Sequence, residues 1–108
     1  CPAPLDIHKG GGEEVVLVDI EADADGLSNC GLKKKKLGLG VNIQFKKEQL
    51  PWFANWQHWG KGEYVTGLEP STHPLTGQAK ARENGTLILI EPGEKKCYDV
   101  VLHVTGNL

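Results

Sequence analysis

An alternation of apolar and polar residues with a period of two is the feature that most constrains this chain. In residues 37–45, LGLGVNIQF, large apolar side chains occupy every second position, with glycine, asparagine and glutamine between them. Successive side chains of an extended strand point to opposite faces of a sheet, so this pattern predicts a strand that is buried on one face. An amphipathic helix would need a repeat near 3.6 residues, which this segment lacks.

Five further segments have the composition of strands, being rich in β-branched and aromatic residues: 14–21, 51–59, 63–69, 86–91 and 96–105. Glycine, proline and asparagine between them supply the backbone dihedral angles that tight reversals need. Good helix formers occur together at residues 78–83, where Gly77 and Gly85 limit them to one or two turns. Because a parallel sheet needs crossover helices, we predict an all-β fold, an antiparallel sandwich or barrel.

Length and charge exclude several classes of protein. The chain has 108 residues, the size of one compact domain, so we expect residues 1–108 to form a single unit. A formal net charge of −2 and one run of lysines at 33–36 do not provide the extended basic surface that nucleic acids bind. We expect this run to lie on a solvated strand end or hairpin. No apolar stretch approaches the ~18 residues of a membrane-spanning helix.

Cysteine and histidine do not occur at the spacings typical of disulfide frameworks or metal sites. Cys1, Cys30 and Cys97 form an odd set without a CxxC motif, which is typical of free thiols in a reducing compartment and favours a cytoplasmic location. The histidines are scattered, and no hydrolase, zinc-protease or phosphate-loop motif is present. We therefore expect no metal and no cofactor. Since the chain starts at Cys1 and contains no methionine, we also expect it to be a piece of a longer protein.

An aromatic cluster is the strongest candidate for ligand binding. Trp52, Phe53, Trp56, Trp59 and Tyr64 lie within thirteen residues and include all three tryptophans. On a strand, Trp52 and Trp56 point to one face while Phe53 and Trp59 point to the other, so they cannot all fill one core. One set is expected to line a surface or cleft, where an aromatic face can pack against the C–H face of a sugar ring. Packing of both sets beneath neighbouring sheets is the equally weighted alternative.

A carboxylate follows at the end of the next predicted strand. Glu69 precedes Pro70 and a loop that contains Ser71, Thr72 and His73. Loops at strand ends commonly carry functional groups. Partial desolvation there would raise the pKa of Glu69 towards neutrality, as a general base requires. The alternative is a strand-end glutamate that simply faces solvent.

The block LGLGVNIQF…LPWFANWQHWGKGEYVTGLEPSTHPLTGQAKARENGTLILIEPGE resembles the C-terminal part of the aldose 1-epimerase (galactose mutarotase) superfamily, especially its aldose 1-epimerase-like branch. The alternating strand, the LP…W strand, the YV.GLEP strand and the PGE turn follow in that order, and ADADG at 22–26 is similar to a turn of that branch. The likeness covers about residues 15–105. It implies a large antiparallel β-sandwich, of the galactose mutarotase-like type, of which this chain would be the C-terminal third.

The resemblance also implies a chemistry. Mutarotases interconvert the α and β anomers of aldoses: a glutamate removes the proton of the C1 hydroxyl, and a histidine protonates the ring oxygen. Glu69 matches the position of that glutamate, although Pro70 and Ser71 stand where classical mutarotases usually have threonine and glutamine. The acid histidine would lie outside this chain. Trp52, Trp56, His58 and His73 are the expected sugar-binding residues.

Two functional hypotheses follow. In the first, the chain belongs to an aldose 1-epimerase-like isomerase that acts on a monosaccharide or related sugar, with Glu69 as general base. In the second, it is a non-catalytic carbohydrate-binding or regulatory β-sandwich module. In both, one third of a sandwich would leave a sheet face and an edge unpaired, so the expected protein partner is the missing N-terminal part of the same protein or another copy.

Overall fold

The computed structural model describes residues 12–107. They form six strands and one short α-helix: β1 (Gly12–Leu17), β2 (Leu27–Lys34), β3 (Leu39–Lys46), β4 (Trp52–Gly60), β5 (Glu63–Ser71), α1 (Gln78–Asn84) and β6 (Val100–Gly106). Every strand pairing is antiparallel, which confirms the prediction of an antiparallel all-β fold. Within the described range, no helix has the length and apolar character required to cross a membrane.

The strands form two three-stranded sheets. The first sheet has the order β1-β4-β5, and the second sheet has the order β2-β3-β6. In the first sheet, Trp56 of β4 lies opposite Val15 of β1 and Gly67 of β5. The central strands β3 and β4 follow one another in the chain, so the short connection between them also joins the two sheets.

Two of the differences from the predicted strands concern pairing. Residues 27–34, LSNCGLKK, have no apolar alternation, yet they form β2 because they pair with β3 along their whole length. Residues 86–91 were expected to form a strand, but they have no ladder partner among residues 12–107. The N–H groups of Thr86 and Leu87 instead donate to the carbonyl of Ala81 in α1.

The turns follow their local sequence closely. Asp23 Oδ1 accepts hydrogen bonds from the N–H groups of Asp25 and Leu27 at 2.9 and 3.0 Å, and Gly26 adopts a φ of 77°, as the ADADG motif predicts. Lys35–Leu37, at the end of the lysine run, form a 3₁₀ turn, so β3 starts two residues later than predicted. All four lysines are exposed in this β2–β3 hairpin, in agreement with the expected solvated location.

A small core lies where the two sheets meet. Phe45 of β3 and Phe53 of β4 stack with ring centroids 5.8 Å apart, and Leu50 from the connection between these strands completes the buried cluster. Ser28 is fully buried beside it, and its hydroxyl lies 3.3 and 3.2 Å from the carbonyl oxygens of Ile20 and Glu21. The buried hydroxyl is therefore satisfied.

Candidate functional site

One face of the first sheet carries most of the predicted site residues. Directly opposed residues in an antiparallel pair point to the same side of the sheet. Glu69 lies opposite Ala54, and so shares the side occupied by Trp52, Trp56 and His58. We call this surface the site face; it comprises Glu13, Val15, Leu17, Trp52, Ala54, Trp56, His58, Glu63, Val65, Gly67, Glu69 and Ser71.

The aromatic residues of β4 divide between the two faces of the sheet as their alternation predicts. On the reverse face, Phe53 and Trp59 are 3% and 7% exposed, whereas Trp52 on the site face is 37% exposed and Trp56 is half-buried. Phe53 belongs to the core between the two sheets. Within residues 12–107, packing of both aromatic sets beneath neighbouring sheets is therefore not observed, because Trp52 remains partly exposed.

Trp56 is fixed at the centre of the site face by neighbours on all three strands. Its Nε1 donates a hydrogen bond of 2.6 Å to Glu13 Oε1 of β1. Its ring stacks on His58 with centroids 5.9 Å apart and an interplanar angle of 22°. His58 Nε2 lies 3.3 Å from Glu63 Oε2 of β5. This polar row places the Glu13 carboxylate against the indole of Trp56 and the Glu63 carboxylate against His58.

The Glu69 carboxylate lies above Gly67. A methyl group built on Gly67 would overlap Glu69 Oε1, so the Glu69 side chain runs back along β5. Because Gly67 is the register partner of Trp56, the carboxylate lies on the part of the site face that is next to Trp56. Glu69 is nevertheless exposed, and the expected partial desolvation of its carboxylate is therefore wrong for residues 12–107 taken alone. The physical reason is that no second layer covers this face in the described part of the chain.

Small residues form the floor between the two tryptophans of the site face. Ala54 is 1% exposed and lies between Leu17 and Glu69 in the sheet, while Gly67 lies beside Trp56. Trp52 and Trp56 are four residues apart on an extended strand, a separation of about 13 Å. Between the two indoles, this face of β4 thus carries only the small side chain of Ala54.

A cavity of about 440 Å³ adjoins the site face at Trp52. It is lined by Leu17, Val18, Asp19, Pro51 and Trp52. Asp19 Oδ1 accepts a hydrogen bond of 2.7 Å from Lys47 Nζ, so an ion pair adjoins the indole. An aromatic wall beside a charged pair can bind both the C–H groups and the hydroxyl groups of a polar ligand.

His73 lies apart from the other predicted site residues. It is exposed in the loop after β5, where its Nδ1 is 2.9 Å from Thr72 Oγ1. It lines a different cavity of about 330 Å³, together with Thr72, Leu87, Ile88, Ile90, Lys96 and Tyr98. The fold thus places Trp52, Trp56, His58 and Glu69 on one face of the sheet and His73 elsewhere. Among residues 12–107, no group of three or more His, Cys, Asp or Glu side chains is arranged to hold a metal ion.

A family comparison covers nearly the whole chain. The profile of a family described as a domain of unknown function, DUF4432, matches residues 2–104. The chain belongs to the DUF4432 family. Comparisons with curated proteins and with solved structures gave no match. Because no activity is known for this family, the site face is the basis for a function of this chain.

Several polar residues around the site of this DUF4432 chain could not be predicted from the sequence. Glu13 reaches Trp56 from a strand 43 positions earlier, and Lys47 meets Asp19 across 28 positions. No local spacing connects such residues, because only the sheet register brings them together. Glu63 had a detectable signal: it begins the strand that pairs with β4, five positions after His58.

Proposed function

We propose that this chain supplies the sugar-binding face and the general base of an aldose 1-epimerase-like isomerase, as its C-terminal portion. The observation that carries the proposal is the Glu69 carboxylate, which lies over Gly67 on the same face as Trp52, Trp56 and His58. An indole and a carboxylate on a common floor of small residues are the groups that a pyranose ring requires.

The C–H face and the hydroxyl groups of the sugar would contact different residues. The C–H face of the ring packs against the exposed surface of Trp52 or Trp56, which buries apolar area. The hydroxyl groups then donate hydrogen bonds to carboxylate oxygens, which Glu13 and Glu69 provide beside Trp56 and Gly67 on this face. Because ionised carboxylates form stronger hydrogen bonds than neutral acceptors, these contacts favour a polyhydroxylated ligand.

In the reaction, Glu69 takes the proton of the C1 hydroxyl as the bond between C1 and the ring oxygen breaks. The ring oxygen receives a proton from an acid, and C1 becomes the carbonyl carbon of the open-chain aldose. Rotation about the C1–C2 bond followed by the reverse steps closes the ring with the opposite configuration at C1. The bond between C1 and the ring oxygen breaks and reforms with two proton transfers and no net oxidation or reduction, so the step needs a base and an acid.

The acid is assigned to a histidine outside this chain, in the N-terminal part of the same protein. His58 is on the site face, but its register position is four residues from Ala54, the partner of Glu69, or about 13 Å along the strand. The N-terminal part would also cover the face and exclude water from Glu69. We further propose a cytoplasmic location, since Cys30 and Cys97 are free thiols.

A second candidate is a non-catalytic carbohydrate-binding or regulatory module. The exposure of Glu69 favours it, because a base that faces bulk water gains little from its site. In this case the tryptophans and carboxylates of the site face would hold a sugar without turnover. His73 remains a candidate contact only for a ligand that extends beyond this face.

The test is Glu69→Gln in the full-length protein, with Glu14→Gln as matched control, because Glu14 is equally exposed on the reverse face of the same sheet. Anomer exchange of D-glucose, D-galactose and D-xylose is followed by NMR exchange spectroscopy, and binding by tryptophan fluorescence. We expect Glu69→Gln to lower the exchange rate about 100-fold or more with binding retained, and Glu14→Gln to change neither.

Two other results are decisive. A wild-type protein that binds a sugar without exchanging its anomers supports the module. Both candidates are overturned if no sugar in the panel changes the tryptophan fluorescence of the wild-type protein and the protein accelerates the anomer exchange of none of them.

A further inference from the structure

Neighbouring side chains make one face of the Trp56 indole less accessible than the other. The Glu13 carboxylate accepts the indole N–H at 2.6 Å, so the polar edge of the ring already has a partner. The His58 ring stacks on Trp56 with centroids 5.9 Å apart, within the usual range for offset aromatic pairs. The protein itself therefore occupies the N–H edge and part of one face of this indole.

The sheet register indicates where the other face of the indole points. His58 and Ala54 are the nearest residues to Trp56 on this side of β4, about 7 Å away in opposite directions along the strand. Because His58 stacks on one face of the indole, the other face is directed towards Ala54. Glu69 lies opposite Ala54 in the sheet, and its side chain runs back towards Gly67. The carboxylate thus lies beside the indole face that His58 leaves uncovered.

His58 is itself held by neighbours on three sides. Its Nε2 lies 3.3 Å from Glu63 Oε2, and its side chain is 28% exposed. Its register partners are Glu13 on β1 and Val65 on β5. A sugar hydroxyl group would have to compete with the Glu63 carboxylate to reach Nε2. These contacts favour a supporting role for the imidazole over a direct contact with a ligand.

We propose that His58 is a positioning residue that supports Trp56, and that the sugar packs on the indole face directed towards Ala54. This inference rests on the sugar-binding part of the proposed function, which the isomerase and the module share. It assigns the principal apolar contact to Trp56, next to the Glu69 carboxylate, and not to Trp52. An indole that is already held in its binding orientation loses less conformational freedom when the sugar binds, so the support increases affinity.

The first test separates support from direct contact at position 58. His58→Phe keeps a ring that can stack on Trp56 but removes both nitrogen atoms, whereas His58→Ala removes the ring. Dissociation constants for D-glucose, D-galactose and D-xylose are measured by NMR titration of the full-length protein. We expect His58→Ala to raise them about three- to tenfold and His58→Phe to stay within about twofold of wild type. His103→Ala, on the exposed strand β6, is the control and should change none of them.

The second test locates the sugar in the wild-type protein and so does not depend on whether a variant folds. Intermolecular NOEs are expected between the C–H protons of the sugar and the ring protons of Trp56. None is expected to the ring protons of His58. Trp56→Leu should also weaken binding at least tenfold, and Trp52→Leu less than about threefold.

The outcomes distinguish this inference from the proposed function. If the wild-type protein binds no sugar of the panel, the proposed function fails and this inference fails with it. If the wild-type protein binds a sugar but His58→Phe weakens binding as much as His58→Ala, the positioning role is overturned and the proposed function stands. NOEs from the sugar to the His58 ring would overturn the positioning role in the same way.

Discussion

At the residue level, the position of Glu69 depends on a neighbour without a side chain. The space that a Cβ would take on Gly67 is occupied by Glu69 Oε1. The carboxylate is the end of a flexible side chain, so a larger residue at position 67 would displace the carboxylate and leave the strand in place. Gly67 also lies opposite Trp56, and the displaced Glu69 carboxylate would therefore move away from the part of the site face next to Trp56.

We expect Gly67→Ala to lose anomer exchange as expected for Glu69→Gln, while the unfolding free energy changes by less than about 1 kcal/mol. The measurements are NMR exchange rates and urea unfolding. Gly31→Ala is the contrasting variant: its Cβ would come 2.7 Å from the backbone oxygen of Val41, which cannot move aside, so that variant should be clearly less stable. Loss of exchange in Gly67→Ala accompanied by an equally large loss of stability would contradict a positioning role for Gly67.

Among the elements, β6 is anchored through the residue that precedes it. The Gln49 amide oxygen accepts a hydrogen bond from the Asp99 N–H at 2.8 Å, and its Nε2 donates to Asp99 Oδ2 at 3.1 Å. Lys46 Nζ lies 3.1 Å from the same carboxylate oxygen. The hydrogen bond from Gln49, followed by the hydrogen bond and charge of Lys46, lowers the pKa of Asp99 below its ordinary value of 3.8.

A depressed pKa means that ionised Asp99 stabilises the fold. This contribution is fully present above pH 3.8 and is lost as the pH falls through the lower pKa of the folded state. Asp99→Asn should therefore lower Tm at neutral pH, and its difference from wild type should disappear under strongly acidic conditions. Thermal unfolding over a pH series measures this, with the exposed Asp25→Asn as control. A Tm difference that stays constant with pH would speak against the ionised contacts.

The elements also show how far the sequence predicts this fold. β3 and β4 were predicted to within two residues at each end, because their apolar alternation reports the face that each residue occupies. β2 was missed, since its strand conformation comes from pairing with β3 and its own composition is weak. Residues 86–91 have strand composition without a ladder partner in the described range. The site followed the same rule: Trp56 and His58 were predictable from one strand, whereas Glu13 required the register of another.

At the scale of the whole molecule, the core is small for the amount of apolar surface. Phe45, Leu50 and Phe53 form the buried cluster that joins the sheets. Many large aliphatic side chains elsewhere are at least 42% exposed, among them Val15, Val16, Leu17, Val18, Leu32, Leu39, Ile88, Leu89, Ile90, Val100, Leu102 and Val104. The stability of the described fold therefore depends heavily on this cluster and on the partly buried side chains packed against it, Ile20, Cys30, Ile43 and Leu68.

Phe53→Ala is expected to cost about 3–5 kcal/mol, because it removes a stacked ring from this cluster and leaves a cavity. A domain of ordinary stability has about 5–15 kcal/mol in total, so this variant should be largely unfolded at low urea concentration. Leu89→Ala is the control: its side chain is 72% exposed, and its effect should stay within about 0.5 kcal/mol. Equal losses of unfolding free energy in the two variants would show that the aromatic cluster does not dominate the stability of the fold.

The four edge strands of residues 12–107 differ in the side chains that they carry. Glutamate, lysine or proline occurs on β1, β2 and β5, and these residues disfavour pairing with a further strand. The fourth edge strand, β6, has the sequence VVLHVTG and contains none of them. Any growth by strand addition at high concentration should accordingly start at β6.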